Sequence, residues 1–176
     1  ASYLPKGLDH KILTSNANTY TGGTTLTAGK LVANNTTGSA FGTGNVIASA
    51  NTTLAGIGRF TGSATIYGSY APGNSVGNLT SGDLIFKDTG IYEWEINNAG
   101  GSVGSAAGGW DHATVNGVLS FEPGAMLKIA SLGAGGLALG FNPDQSYLWT
   151  IATASGGIDG IENVTIDTTG FLNSFN

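Results

Sequence analysis

Ser15-Asn-Ala-Asn-Thr-Tyr20-Thr-Gly-Gly-Thr-Thr25-Leu-Thr-Ala-Gly-Lys30-Leu-Val-Ala33 contains two very short β-compatible runs that meet at glycine turns, with no helix signal nearby. A unit this small has too little apolar surface to bury a core by itself. It becomes stable only when it stacks on further units of the same kind, which makes the stretch one coil of a solenoid rather than part of a globule.

The composition agrees. Gly, Thr, Ser and Asn make up 81 of the 176 residues, only 10% of the chain is charged, and 40% is apolar. A disordered chain lacks β-branched and aromatic residues, whereas Val, Ile, Leu, Phe, Tyr and Trp recur throughout this one. Apolar strand centres fall near Leu31, Leu54, Ile66, Leu84, Trp94, Leu119, Ile129, Ile151 and Ile166, separated by clusters such as Pro72-Gly73-Asn74 and Glu122-Pro123-Gly124 that suit turns.

Alternation marks the strands, because successive side chains on a strand point to opposite faces. Tyr92, Trp94 and Ile96 alternate with Glu93 and Glu95, so the rings point inward and both carboxylates point to water. Val115, Leu119 and Phe121 share one face. Leu84 and Phe86 oppose Asp83 and Lys87, Leu127 and Ile129 oppose Lys128, and Val164 and Ile166 oppose Thr165 and Asp167. Leu132 to Leu139 reads as a turn or irregular strand, since each of its glycines costs a helix about 1 kcal/mol against alanine.

Asn18-Thr19-Tyr20-Thr21-Gly22-Gly23-Thr24-Thr25, followed by Ala28-Gly29-x-Leu31, resembles the autotransporter-associated β-strand repeat of long secreted bacterial passenger proteins. Gly68 to Thr80, Trp110 to Gly117 and Tyr147 to Ile166 are similar to the segments that follow the repeat in that family, so the resemblance spans roughly residues 12 to 170. It implies a secreted or cell-surface bacterial protein. The expected fold is all-β, a single-stack right-handed parallel β-helix of roughly seven to nine coils. At about 4.8 Å per coil it would form a rod about 40 Å long.

Residues 1 to 11 lie outside the resemblance and read as an extended arm or cap, residues 12 to 170 as the solenoid, and residues 171 to 176 as a tail. The opening has no signal-peptide pattern, and a start at Ala1 suits either a processed protein or a fragment. No apolar run reaches the roughly 20 residues of a membrane helix.

The charge pattern argues against nucleic acid as a partner. The net charge is −5, and the six basic residues, Lys6, Lys11, Lys30, Arg59, Lys87 and Lys128, are scattered. Cysteine is absent, so packing and backbone pairing must supply the stability.

Asp111-His112 has the makings of a general acid/base pair or half a metal site, but His10 is the only other histidine, and a turn-capping Asp beside a solvated His accounts for it. Glu93 and Glu95 lie about 7 Å apart along one strand face, a spacing compatible with glycosidase carboxylates. Their neighbours supply Thr, Ser and Asn rather than further acids, and no enzyme is expected. Asp83, Asp88, Asp144, Asp159 and Asp167 lie in oxygen-rich turns that suit calcium, although no EF-hand loop organises them; no cofactor is otherwise implied. Trp94 reads as core, while Trp110, after Gly108-Gly109, is the candidate for stacking on glycans. Asn35, Asn51, Asn78 and Asn163 fit a glycosylation pattern that chance supplies in a chain this rich in Asn and Thr.

The ends of a solenoid leave backbone groups unpaired and open to another strand. Tyr3, Leu4, Pro5 and Leu8 at one terminus and Phe171 and Phe175 at the other are apolar residues without an evident partner. The expected function is therefore structural: copies of the chain stacking head to tail into a surface or matrix fibre. The alternatives are an adhesin or passenger module that binds glycans or host surfaces and, third, an enzyme acting on polysaccharide.

Overall fold

The computed structural model describes residues 10–16 and 18–174, and the chain is all-β with almost no helix. After β1 (His10–Leu13), the chain makes strands in pairs: β2 (Thr24–Leu26) and β3 (Lys30–Ala33), β4 (Val46–Ala48) and β5 (Thr53–Gly56), β6 (Ala64–Ile66) and β7 (Ser69–Pro72). From there it makes triplets. The first is β8 (Asn78–Ser81), β9 (Leu84–Phe86) and β10 (Ile91–Ile96); after an excursion through β11 (Ser102–Val103) and β12 (Gly109–Trp110) comes β13 (His112–Val115), β14 (Leu119–Phe121) and β15 (Met126–Ser131). The last is β16 (Ala152–Ala154), β17 (Ile158–Asp159) and β18 (Thr165–Gly170).

Corresponding members of these sets lie side by side in three sheets. The first sheet runs β1, β3, β5, β7, β10, β15, β18, every neighbouring pair parallel. The second runs β2, β4, β6, β9, β14, β17, also parallel throughout. The third holds β8, β13 and β16. The excursion makes the first sheet mixed, because β12 pairs antiparallel with β10 at Ile96 and Trp110.

Register turns this pairing into a core. In the first sheet Leu31, Leu54, Tyr70, Tyr92 and Leu127 stand in line on the inward face. In the second, Leu26, Ala48, Ile66, Phe86 and Phe121 do the same. Most of these side chains are fully buried, and each large one contributes about 1.5–3 kcal/mol on leaving water. Where the columns carry rings they pack in contact: Phe86 stacks on Phe121 at 5.1 Å and on Tyr92 at 5.9 Å, and Tyr70 meets Tyr92 edge-on.

The buried phenols are satisfied across the interior. Tyr70 donates its hydroxyl to the Leu79 carbonyl (3.1 Å) and Tyr92 to that of Ile151 (2.6 Å), tying the first sheet to the third sheet or its approach. Burial pushes both phenols far above their ordinary range.

At the turns, Asn and Asp side chains join one turn of chain to the next. Asn16 Oδ1 accepts the Thr36 N–H (2.8 Å), buried Asn35 accepts that of Arg59 (2.9 Å), and Asp83 accepts that of Val118 (2.9 Å). The Asn35–Arg59 bond is part-buried, where an amide left unpaired would cost more than the net gain of a bond, while the other two lie at the surface.

Several sequence expectations need correction. Ile166 stands in the inward column but is 64% exposed rather than covered, because among the described residues no strand lies beyond β18. The boundary expected at residue 11 falls inside β1, where His10 and Lys11 pair with Lys30 and Leu31. The expected tail is packed: Phe171 is buried edge-on against Phe141 at 5.2 Å, and Asn173 bonds both the N–H and the carbonyl of Ala138. Phe171 is therefore not a free apolar end. Leu132 to Leu139 is irregular as expected, with one 3₁₀ turn at Ala134–Gly136.

Close spacing between strands makes some glycines irreplaceable. Gly56 has φ +121°, and a Cβ there would sit 2.0 Å from the Ala33 carbonyl oxygen of the preceding strand. Gly135 also has positive φ but has open space around it. Gly56→Ala is expected to destabilise the protein by about 3 kcal/mol or more, through strain and displaced backbone, and Gly135→Ala by about 1 kcal/mol. Denaturant midpoints of the two variants check this.

Candidate functional site

Asp111, between β12 and β13, is the most unusual ionisable group of the fold. Its carboxylate has no exposed surface; one oxygen accepts the Gly77 N–H at 2.7 Å and the other accepts the Glu95 N–H at 3.0 Å. Its carbonyl takes the Trp94 indole N–H at 2.8 Å, and its own N–H bonds the Glu95 carbonyl. Asp111 is thus a clasp between β10 and the approach to β8. Burial pushes its carboxyl up to about 8, against the pull of the Gly77 N–H; Glu95 adds to the rise, and that residue's N–H opposes it.

The adjacent His112 is half-buried rather than solvated. Its Nδ1 lies 2.8 Å from Asn78 Oδ1, which also accepts from the Thr114 hydroxyl, and burial lowers its affinity for a proton. Among the described residues no three His, Cys, Asp or Glu side chains converge as a metal site would require. The aspartates expected to suit calcium are spread apart. Asp83 accepts from the Ser63 hydroxyl and the Val118 N–H, just before β6 and β14, and Asp167 accepts from the Thr169 N–H and hydroxyl.

Glu93 and Glu95 share the outward face of β10 and are partly shielded. Glu93 accepts the Ser69 hydroxyl (3.0 Å) and stands in register with Lys128. Burial raises Glu95, with Glu93 adding to the rise and Lys30 and Lys128 opposing it. The hollow over them, about 200 Å³, is lined by Lys30, Pro72, Asn74 and Leu132. A larger hollow of about 570 Å³ lies elsewhere on this sheet, beside Asn51, Tyr67 and Thr89, and carries no carboxylate. The larger of these two hollows and the paired acids are therefore separate places.

The tryptophans form one cluster that no local pattern in the sequence announces. Trp94 is buried, as expected. Trp149 packs against it at 5.8 Å and against Trp110 at 6.4 Å, and Tyr147 stacks on Trp149 at 5.0 Å. Every indole N–H of the cluster is used: Trp110 donates to the Thr150 carbonyl and Trp149 to that of Ala99. Trp110 keeps part of its surface in water, as does Tyr147. Of the asparagines in glycosylation patterns, Asn35, Asn78 and Asn163 spend their side chains on internal bonds, while Asn51 is exposed at φ +61°.

The last triplet is the largest departure from a closed core. Among the described residues, β16, β17 and β18 each have one neighbour and one open edge, all on the same side of the stack. The columns buried elsewhere surface there: Ile158, in line with Leu84 and Leu119, is 54% exposed, and Ile166, in line with Tyr92 and Leu127, is 64% exposed. Of the residues expected to join copies, Tyr3, Leu4, Pro5, Leu8 and Phe175 lie outside the described residues. Comparison with known proteins adds nothing to this geometry: no family model matches the chain, and no curated protein or solved structure matches it.

The buried carboxyl of Asp111 has a measurable consequence. The folded protein holds a proton there that the unfolded chain, with an ordinary aspartate near 3.8, releases at neutral pH. Folding stability should therefore fall as pH rises toward 8, with a slope of up to about 1.4 kcal/mol per unit. Glu95 acts in the same direction. His112 acts in the opposite sense below 6.5, so the window from 6.5 to 8 isolates the acids. In Asp111→Asn the decline over that window should largely disappear, at the cost of the bond from the Glu95 N–H; urea unfolding at stepped pH measures both effects.

Proposed function

We propose that this chain is a secreted bacterial structural protein, wound as a single-stack right-handed parallel β-helix, whose copies stack end on end into a surface or matrix fibre. The single observation that carries this reading is the last triplet, where three open strand edges coincide with inward columns that reach the surface as Ile158 and Ile166. An exposed strand edge flanked by apolar side chains is a template for another strand, and proteins that must stay single cover or charge it. Adding one more turn of chain would satisfy both the backbone and the isoleucines.

Supporting the winding are the three sheets visited in fixed order by successive triplets and the in-register columns between them. The bacterial and extracellular setting rests on the resemblance of Asn18 to Leu31 to the passenger-associated repeat.

A second reading, an adhesin or passenger module that binds glycans, is favoured by the partly exposed Trp110, Tyr147 and Trp149. Saturable glycan binding lost in Trp110→Ala and Tyr147→Ala would support it. The third reading, a polysaccharide-degrading enzyme, would show reducing-end release abolished by Glu93→Gln or Glu95→Gln.

Sedimentation velocity and electron microscopy over a concentration series test the main proposal. Linear oligomers that lengthen with concentration are expected, and Ile158→Lys with Ile166→Lys should reduce them to monomers without loss of fold. Strictly monomeric particles at high concentration would overturn it.

A further inference from the structure

Three successive connections from the second sheet to the first differ in length. Ser49 to Thr52 join β4 to β5 and Lys87 to Gly90 join β9 to β10, whereas only Tyr67 and Gly68 join β6 to β7 between them. The short connection is held down against its neighbours. The Tyr67 and Gly68 N–H groups both reach the Ala48 carbonyl, and a Cβ on Gly68 would lie 2.2 Å from the Thr52 carbonyl oxygen. On the other side the Thr89 hydroxyl donates to the Tyr67 carbonyl at 2.8 Å. A short connection fixed between two longer ones leaves a notch, and this is the hollow of about 570 Å³ beside Asn51, Tyr67 and Thr89. Its walls stand two strand spacings apart, about 9.6 Å between main chains, which leaves room for one chain between them.

The chemistry of the notch is uniform. No charged side chain lines it; its lining includes the Asn51 amide, the Thr53 and Tyr67 hydroxyls and the Tyr67 ring, which is 37% exposed. Among the described residues none of these three polar ends makes a hydrogen bond, whereas Thr52 and Ser69 beside them spend their hydroxyls on the Ser49 carbonyl and on Glu93. Amide and hydroxyl groups pair with the hydroxyls of a ligand in either sense, and an aromatic ring beside them covers an apolar ring face. A volume of this size is ordinary for a small-molecule site. A peptide strand does not suit the notch: both edges of β7 are already paired, with β5 and β10, so no strand edge is free there.

We infer that the notch is a binding site for a neutral oligosaccharide, with a sugar ring lying against Tyr67 and its hydroxyls bonded by Asn51 and Thr53. The site is independent of stacking: β7 has β1, β3 and β5 on one side of it in the first sheet and β10, β15 and β18 on the other, so the notch is far from the open last triplet. It shares no residue with the tryptophan cluster. The chain would carry glycan on its flank while its end remained available to another copy.

The test is an amide-resolved NMR titration of the full chain with maltotetraose, cellotetraose and tetra-N-acetylchitotetraose, each raised to about 20 mM, above the millimolar dissociation constants of weak sites. At least one of the three should shift the amides of Asn51, Tyr67, Gly68 and Thr89 saturably. Asn51→Gly, which suits the positive φ of that position, and Tyr67→Ala should each weaken binding at least about fivefold, the loss of one hydrogen bond or one ring contact. Trp110→Ala, and Ile158→Lys with Ile166→Lys, should bind as wild type does. Saturable shifts centred on Trp110 and Trp149 and lost in Trp110→Ala would overturn the notch in favour of the tryptophan cluster. Absence of saturable shifts with all three probes would overturn it as well, and either result would leave the stacking reading to its own test by sedimentation.

Discussion

The structure depends on one constraint: each inward side chain is covered mainly by its counterpart one strand along, held there by parallel backbone pairing. Leu31 stands beside Leu54, which stands beside Tyr70, and so on through Tyr92 and Leu127. A single strand of three or four residues buries almost nothing by itself, so stability is a property of neighbouring turns rather than of any one. The same arrangement explains why the ends matter more here than in a globule. A column has no internal way to finish; it must be covered, charged or left open.

The chain treats its two ends differently. At the first strand the inward column of the first sheet is occupied by Lys11, which water solvates, whereas at the last strand the same column ends on exposed Ile166. Inward-pointing charge is a known way of protecting a strand edge, and apolar exposure is its opposite. Between the ends, Asn and Asp side chains and the crossing Tyr70 and Tyr92 hydroxyls fix successive turns to one another, so the polar residues that dominate the composition are part of the framework.

Much of the fold was legible in the sequence because period-two alternation is a direct record of which side is covered. The stretch from Thr24 to Ala33 contains the two short strands that its apolar positions and Gly29 indicate, and Tyr92, Trp94 and Ile96 are inward as their alternation with Glu93 and Glu95 requires. Alternation has no information about whether a further strand lies beyond, which is why Ile166 was expected to be covered. Nor could it show that Phe171 finds Phe141, a contact between residues with no shared local pattern.

The candidate sites were less legible. Asp111 was expected as a turn cap and is instead a buried clasp, because its burial comes from partners at Gly77 and Glu95 that only the folded chain assembles.

Residue-resolved hydrogen exchange tests the central claim, that the interior is continuous from strand to strand and unfinished at the last triplet. Strands β5 and β7, paired on both sides, should exchange slowly at every protein concentration, whereas in dilute protein many amides of β17 and β18 should exchange rapidly and become protected as concentration rises. Protection of β16, β17 and β18 in dilute monomer equal to that of β5 and β7 would contradict the account.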